Sequence, residues 1–155
     1  KPFSELTPSW NHDTPLRNHF ERRQALVEID VLAAMSFGLS LEDLEFIYDI
    51  QFPVLRQNED DTWYDQKGNV VYSVSLCKKG VGVDRATWNT IRGEQLSDNI
   101  YQGATSFYIH TVPVEKSELY GGEQVTYYAP YTRCDRIADY QRAWTFFEER
   151  FKNED

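Results

Sequence analysis

The chain has 155 residues, 41% of them apolar and 15% aromatic, and 25 Asp and Glu against 16 Lys and Arg give a net charge of −9. That composition supplies one packed core and excludes compositional disorder, while the acidic balance excludes a protein that coats nucleic acid by charge alone. The sequence holds no apolar run of transmembrane length and no leader-like pattern, so neither a membrane partner nor export is expected.

Residues 1–14, with Pro2, Pro8 and Trp10 among polar spacers, read as an extended lead-in. Thr14-Pro15 then predicts a helix start, with Thr14 as N-cap and Pro15 at the first helical position. Leu16, Phe20, Val27, Val31, Ala34 and Met35 recur at helical spacing as far as Gly38, a good C-terminal residue. From Ile29 to Met35 the run is apolar nearly all round, interrupted by Asp30, which predicts that the second half of this helix is central. Ser40-Leu41-Glu42-Asp43 has the form of a capping box, and Leu41, Leu44, Ile47, Tyr48 and Phe52 continue as an amphipathic helix ended by Pro53.

Beyond the polar stretch Arg56–Asp61 the period changes to two. Thr62-Trp63-Tyr64 and Asn69–Val74, on either side of Asp65-Gln66-Lys67-Gly68, read as a hairpin. Gly80 and Gly82 break the next segment, and Arg85–Glu94, with Trp88, reads as a short helix or a loop. Residues 105–114 and 123–129 look like strands separated by Gly121-Gly122, with Pro113 marking an edge or strand end. Ile137, Tyr140, Ala143, Trp144, Phe147 and Phe151 repeat at three and four, a strong C-terminal helix. The order predicts an α+β fold: an antiparallel sheet or hairpins packed with two N-terminal helices and one C-terminal helix. Residues 15–152 are expected to form one domain, and because the sole methionine is the internal Met35, that domain is expected to be cut from a larger chain.

The chemistry-bearing residues do not assemble a familiar centre. His12, His19 and His110 fall in different predicted elements without metal-ligand spacing, and no GxSxG elbow is present. Cys77 and Cys134 have no CxxC spacing, so a reducing cytoplasm is the expected home and a disulfide framework is not. Gly80-Val81-Gly82 opens like a phosphate-binding turn, but Arg85 stands where the dinucleotide fingerprint needs glycine, so a tight loop is the better reading. Asp65-Gln66-Lys67, with Asp60 and Asp61 upstream, matches the acidic-x-Lys element of metal-dependent nucleases. The same triplet also has ordinary turn chemistry, which is preferred. Asp30 needs a partner if buried, with Arg23, Arg56 or Arg133 as candidates. Arg56, Gln57, Trp63, Lys78, Lys79, Arg85, Trp88 and Arg92 combine cationic forks with aromatic faces. Four of these cations stand against Asp84 alone within residues 77–92, a local +3 suited to phosphates, base edges or an acidic partner.

Ile50–Gln57, Thr62–Asp65, Gly68, Val70-Val71, Gly80–Gly82 and Trp88, with Glu21–Asp30 and Cys134–Glu148, resemble a C-terminal region of large bacterial adenine DNA methylases. These belong to restriction-modification and phage-defence systems of the type that joins several activities in one polypeptide. Neither the adenine-methylase signature nor a glycine-rich S-adenosylmethionine loop occurs here, so the resemblance implies an accessory domain without a cofactor or catalytic residues of its own. Its expected work is to contact DNA through the eight residues above, or to dock sister domains. A stand-alone protein-interaction domain is the alternative, and a nuclease using Asp60 or Asp61 with Asp65 and Lys67 is the remote one.

Overall fold

A computed structural model describes residues 9–12, 14–96, 107–112 and 122–153. It has the α+β character that the order of elements predicts. The helices are α1 (His19–Ser36), α2 (Leu41–Gln51), α3 (Pro53–Asp60), α4 (Arg85–Leu96) and α5 (Arg136–Lys152). The strands are β1 (Trp63–Tyr64), β2 (Val70–Tyr72), β3 (Phe107–Thr111), β4 (Gln124–Tyr128) and β5 (Thr132–Arg133). Among the described residues every pairing is antiparallel, in a three-stranded sheet of order β2-β1-β5 and a two-stranded ribbon β3-β4. Of the predicted lead-in, residues 1–8 and 13 lie outside the described residues, as do Pro113, Gly121 and the outer ends of the strand predicted over 105–114.

Helix α1 begins four residues later than Thr14-Pro15 suggests. Thr14 is occupied in a local turn, where its hydroxyl accepts from the Asn11 backbone at 2.9 Å. Asn18 caps instead, accepting from Glu21 N at 2.7 Å, and Phe20 N donates to the Gly68 carbonyl at 3.0 Å. A contact with the β1–β2 turn, remote in sequence, therefore decides where the helix starts. At α2 the capping box forms as read, with Ser40 Oγ accepting from Asp43 N and Asp43 Oδ2 accepting from Ser40 N at 2.9 Å. Pro53 ends α2 and also opens α3: it occupies the first helical position, where a missing N–H costs nothing. The polar stretch after it is thus helical, carried by the burial of Glu59 rather than by an apolar stripe. Arg85–Glu94, left between helix and loop by the sequence, lies within α4, and Asp84 Oδ1 accepts from Thr87 N at its start.

Two cores result. Val27, Val31 and Ala34 of α1 meet Leu44 and Tyr48 of α2 and Tyr140, Ala143 and Phe147 of α5. The second core is aromatic: Trp88 of α4 stacks on Tyr72 at 5.9 Å and 4°, and meets Trp63 and Tyr131 at 5.2 and 5.6 Å. A smaller cluster of Tyr64, Val70 and Cys134 lies on the three-stranded sheet. Cys134 is buried, which pushes its thiol up to about 12, and both cysteines are free.

The loop before α4 owes its path to glycine. Gly82 has φ +77°, and a Cβ there would stand 2.5 Å from the Val71 carbonyl oxygen, while Val83 N donates to that same oxygen at 2.7 Å. Gly80-Val81-Gly82 is therefore a close approach of backbone to strand β2. Gly38, with φ +73°, has nothing within 4 Å of the same atom. Both carry the left-handed penalty of roughly 1–2 kcal/mol for an L side chain, but only one carries a backbone clash. Gly38→Ala is expected to lose about 1 kcal/mol and Gly82→Ala at least twice that, read as urea unfolding midpoints; equal losses would show that the β2 contact yields freely.

Candidate functional site: a buried ion network, a cationic aromatic face and an apolar groove

Glu59 is where α1, α3 and α5 meet. Arg136 grips it with both faces of its fork, Nε to Oε2 and Nη2 to Oε1, each at 2.8 Å. Arg23 Nε adds a bond to Oε1 at 3.0 Å and the Tyr48 hydroxyl one to Oε2 at 2.9 Å. Arg23 also reaches Asp139 through Nη1, and Arg136 Nη1 reaches Asp30 Oδ2 at 2.9 Å. Asp30 is thus paired structurally, as expected, but with Arg136 rather than any of the three candidate arginines. Burial pushes the Glu59 carboxyl up, yet the bonds from Arg136 and the charges of Arg23 and Arg136 outweigh it and hold the group below its ordinary value. Such a network is a structural joint: every acceptor of the central carboxylate is used, leaving none for a substrate.

The eight residues singled out in the sequence do not share one surface. Arg56 and Gln57 are exposed on α3, and Arg56 is turned to Asp49 of α2. Trp88 is 2% exposed, core rather than platform, because the aromatic side chains of β1, β2 and the 131 region close over it. Of the remaining five, Arg85 and Arg92 belong to α4, and Trp63 packs against it through Trp88. The Arg92 guanidinium lies over the half-buried Trp63 ring at 5.3 Å, and Arg85 lies over Tyr72 at 5.9 Å while pairing at 3.8 Å with Asp61. Lys78 and Lys79 are exposed on the 3-10 turn Cys77–Lys79.

The nuclease-like triplet resolves as a turn. Asp65 Oδ1 accepts from the backbones of Lys67 and Asn69 at 2.9 and 2.8 Å, Oδ2 accepts from Tyr128 N at 3.3 Å, and Lys67 lies over the Tyr128 ring. Asp60 faces Arg133 and Asp61 faces Arg85. Among the described residues no three His, Cys, Asp or Glu side chains gather where a metal ion would be held.

One feature of the surface escapes the sequence pattern. Of the thirteen large apolar side chains exposed among the described residues, eight belong to the stretch from Leu26 to Leu55: Leu26, Ile29, Phe37, Phe46, Ile50, Phe52, Val54 and Leu55. The apolar run of α1 is therefore central on one side only. Val31 and Ala34 enter the core, while Ile29 is 59% exposed and Phe37, just past the helix end, 81%. Between α1 and the α2–α3 pair runs an open groove of about 450 Å³, walled by Leu26, Ala33 and Phe37 on one side and Ile47, Phe52 and Leu55 on the other. Asp30, Tyr48, Arg136 and Tyr140 supply its polar atoms. A helix apolar on more than its core-facing stripe is the signal that would have disclosed this wall.

No family model, curated protein or solved structure matches the chain. No helix among the described residues is long and apolar enough to cross a membrane.

Removing Glu59 leaves two buried guanidiniums without their shared acceptor, so Glu59→Ala is expected to cost about 3–5 kcal/mol. Because the folded carboxyl lies below the ordinary 4.5, the stability it supplies is complete above that pH and is lost as pH falls beneath it. Urea midpoints followed from neutral pH down to about pH 3 should show a shallower acid loss in Glu59→Gln than in the wild type; parallel profiles would remove Glu59 from the acid response.

Proposed function

We propose that this chain is a non-catalytic docking domain that holds a protein partner against the apolar face of α1, α2 and α3. The observation that carries this reading is the groove, which is lined by four exposed large apolar side chains, Leu26, Phe37, Phe52 and Leu55, since soluble monomers seldom leave large apolar surface concentrated without a binding role. The resemblance to large DNA methylases supplies the setting: a cytoplasmic, multi-activity phage-defence polypeptide in which this domain fastens sister domains. The domain itself then needs no cofactor, and methyl transfer belongs to another part of the parent.

The test places a photo-reactive benzoylphenylalanine at Phe37 in the producing cell, an aromatic replacement at a position already 81% exposed. A discrete protein adduct, mapped by mass spectrometry to one partner segment and lost in Leu26→Glu, is the expected result. No adduct, or one that persists unchanged in Leu26→Glu, would overturn the reading.

A second reading, direct DNA contact, has one observation in its favour: Arg85 and Arg92 are held over aromatic rings with Lys78 and Lys79 exposed in the same region of the chain. Under that reading, duplex DNA binds weakly at low salt, and Arg85→Ala/Arg92→Ala lowers the slope of log affinity against log salt by about two. Fluorescence anisotropy across a salt series measures it, and an unchanged slope removes these two arginines from the interface.

A further inference from the structure

The geometry points to a basic amphipathic helix, carrying Lys or Arg beside its apolar stripe, as the segment that occupies the α1–α3 groove. This rests on the docking reading and names the chemistry of the partner.

The shape of the groove selects a helix. Leu26, Asp30, Ala33 and Phe37 follow one another along its α1 wall at steps of four, three and four residues, a stripe about 16 Å long by the helical rise, or three turns. The opposite wall is also helical, from α2 and α3, so no strand edge with unpaired backbone groups is offered to an extended peptide. A partner that satisfies its own backbone and presents side chains at three- and four-residue spacing fits such walls.

Charge selects the sign of the partner. Residues 26–55 contain six carboxylates, Glu28, Asp30, Glu42, Asp43, Glu45 and Asp49, and not one Lys, Arg or His. Arg136 of α5 answers Asp30, and Arg56 of α3 answers Asp49. Over their full lengths the three helices that wall the groove hold nine carboxylates against Arg22, Arg23 and Arg56, a negative balance that repels nucleic acid and acidic peptides and attracts cations. Asp30 brings that charge into the groove itself. Its side chain is 42% exposed, and the Arg136 and Tyr140 bonds both fall on Oδ2, leaving Oδ1 without a hydrogen bond among the described residues. A partner lysine or arginine lying along the α1 wall would find that oxygen between Leu26 and Ala33.

The experiment uses the whole chain and two fluorescent synthetic helices of about eighteen residues, long enough to hold helix with a stabilising linkage. They share one leucine and phenylalanine stripe and differ only in flanking Lys or Glu. The basic helix is expected to bind at least roughly tenfold tighter than the acidic one, with an advantage that shrinks as salt rises. Asp30→Asn should weaken the basic helix several-fold. Because Asp30 also serves Arg136, the pair Glu42→Gln/Glu45→Gln, the first exposed and the second half-buried with a bond from Gln141 that glutamine can keep, provides an independent check and should lower the salt dependence. Equal binding of both helices, preference for the acidic one, or no binding of either would overturn the inference. So would a concentration-dependent dimer in sedimentation equilibrium that the basic helix fails to dissolve, since a second copy would then own the groove. If the Phe37 adduct forms on a protein while the helices show no charge preference, this inference fails and the docking reading stands; if the adduct is also missing, both fail.

Discussion

The structure turns on a carboxylate that cannot be left alone. Glu59, on a short helix with no apolar stripe to anchor it, is enclosed by Arg23 from α1, Arg136 from α5 and Tyr48 from α2. Desolvating any one of these ions separately would cost more than its burial returns, so they enter the interior as a set or not at all. That requirement brings residues 23, 59 and 136, distant in the chain, to one point. It also seats the α2–α3 elbow at Pro53 opposite α1. The groove is the space that remains between α1 and this elbow, with its polar edge formed by the outermost members of the same network, Asp30 and Tyr140.

Around this joint the chain divides its chemistry. The helical part carries apolar walls and an unbroken acidic stretch, whereas the strand part buries an aromatic cluster beneath two surface guanidiniums. Trp88 illustrates how burial redistributes roles. A tryptophan beside arginines reads in sequence as a stacking platform, but four rings packed together exclude water and make it core. The exposed apolar surface lies instead on helices whose sequence looks like ordinary core material, and that shift moves the weight of the functional reading from nucleic acid toward a protein partner.

Much of the local structure was legible because it depends on neighbours in sequence. The Ser40–Asp43 cap, the Gly38 stop, the hairpin about Asp65–Gly68 and the C-terminal helix all use contacts within a few residues. Local pattern is silent where a remote group decides the outcome: the Gly68 carbonyl places the α1 start, and the arginines about Glu59 hold α3. Of the candidate site, the two arginines of α4 are legible in the local charge excess of residues 77–92. The groove is not legible there, because apolar spacing along α1 reports how much of the helix is apolar but not what covers each side.

The sequence by itself determined α2, α5, the hairpin and the strands about 107–111 and 124–128, with the α+β class and the acidic character, since periodicity, caps and charge are properties of short stretches, whereas α3 and β5 leave no such pattern. Only the tertiary structure decided which arginine answers which carboxylate, that Trp88 lies inside, and that the second apolar side of α1 faces an open groove. Those outcomes depend on which desolvated groups meet, and pairing over 36 to 116 residues of separation leaves no mark in local pattern.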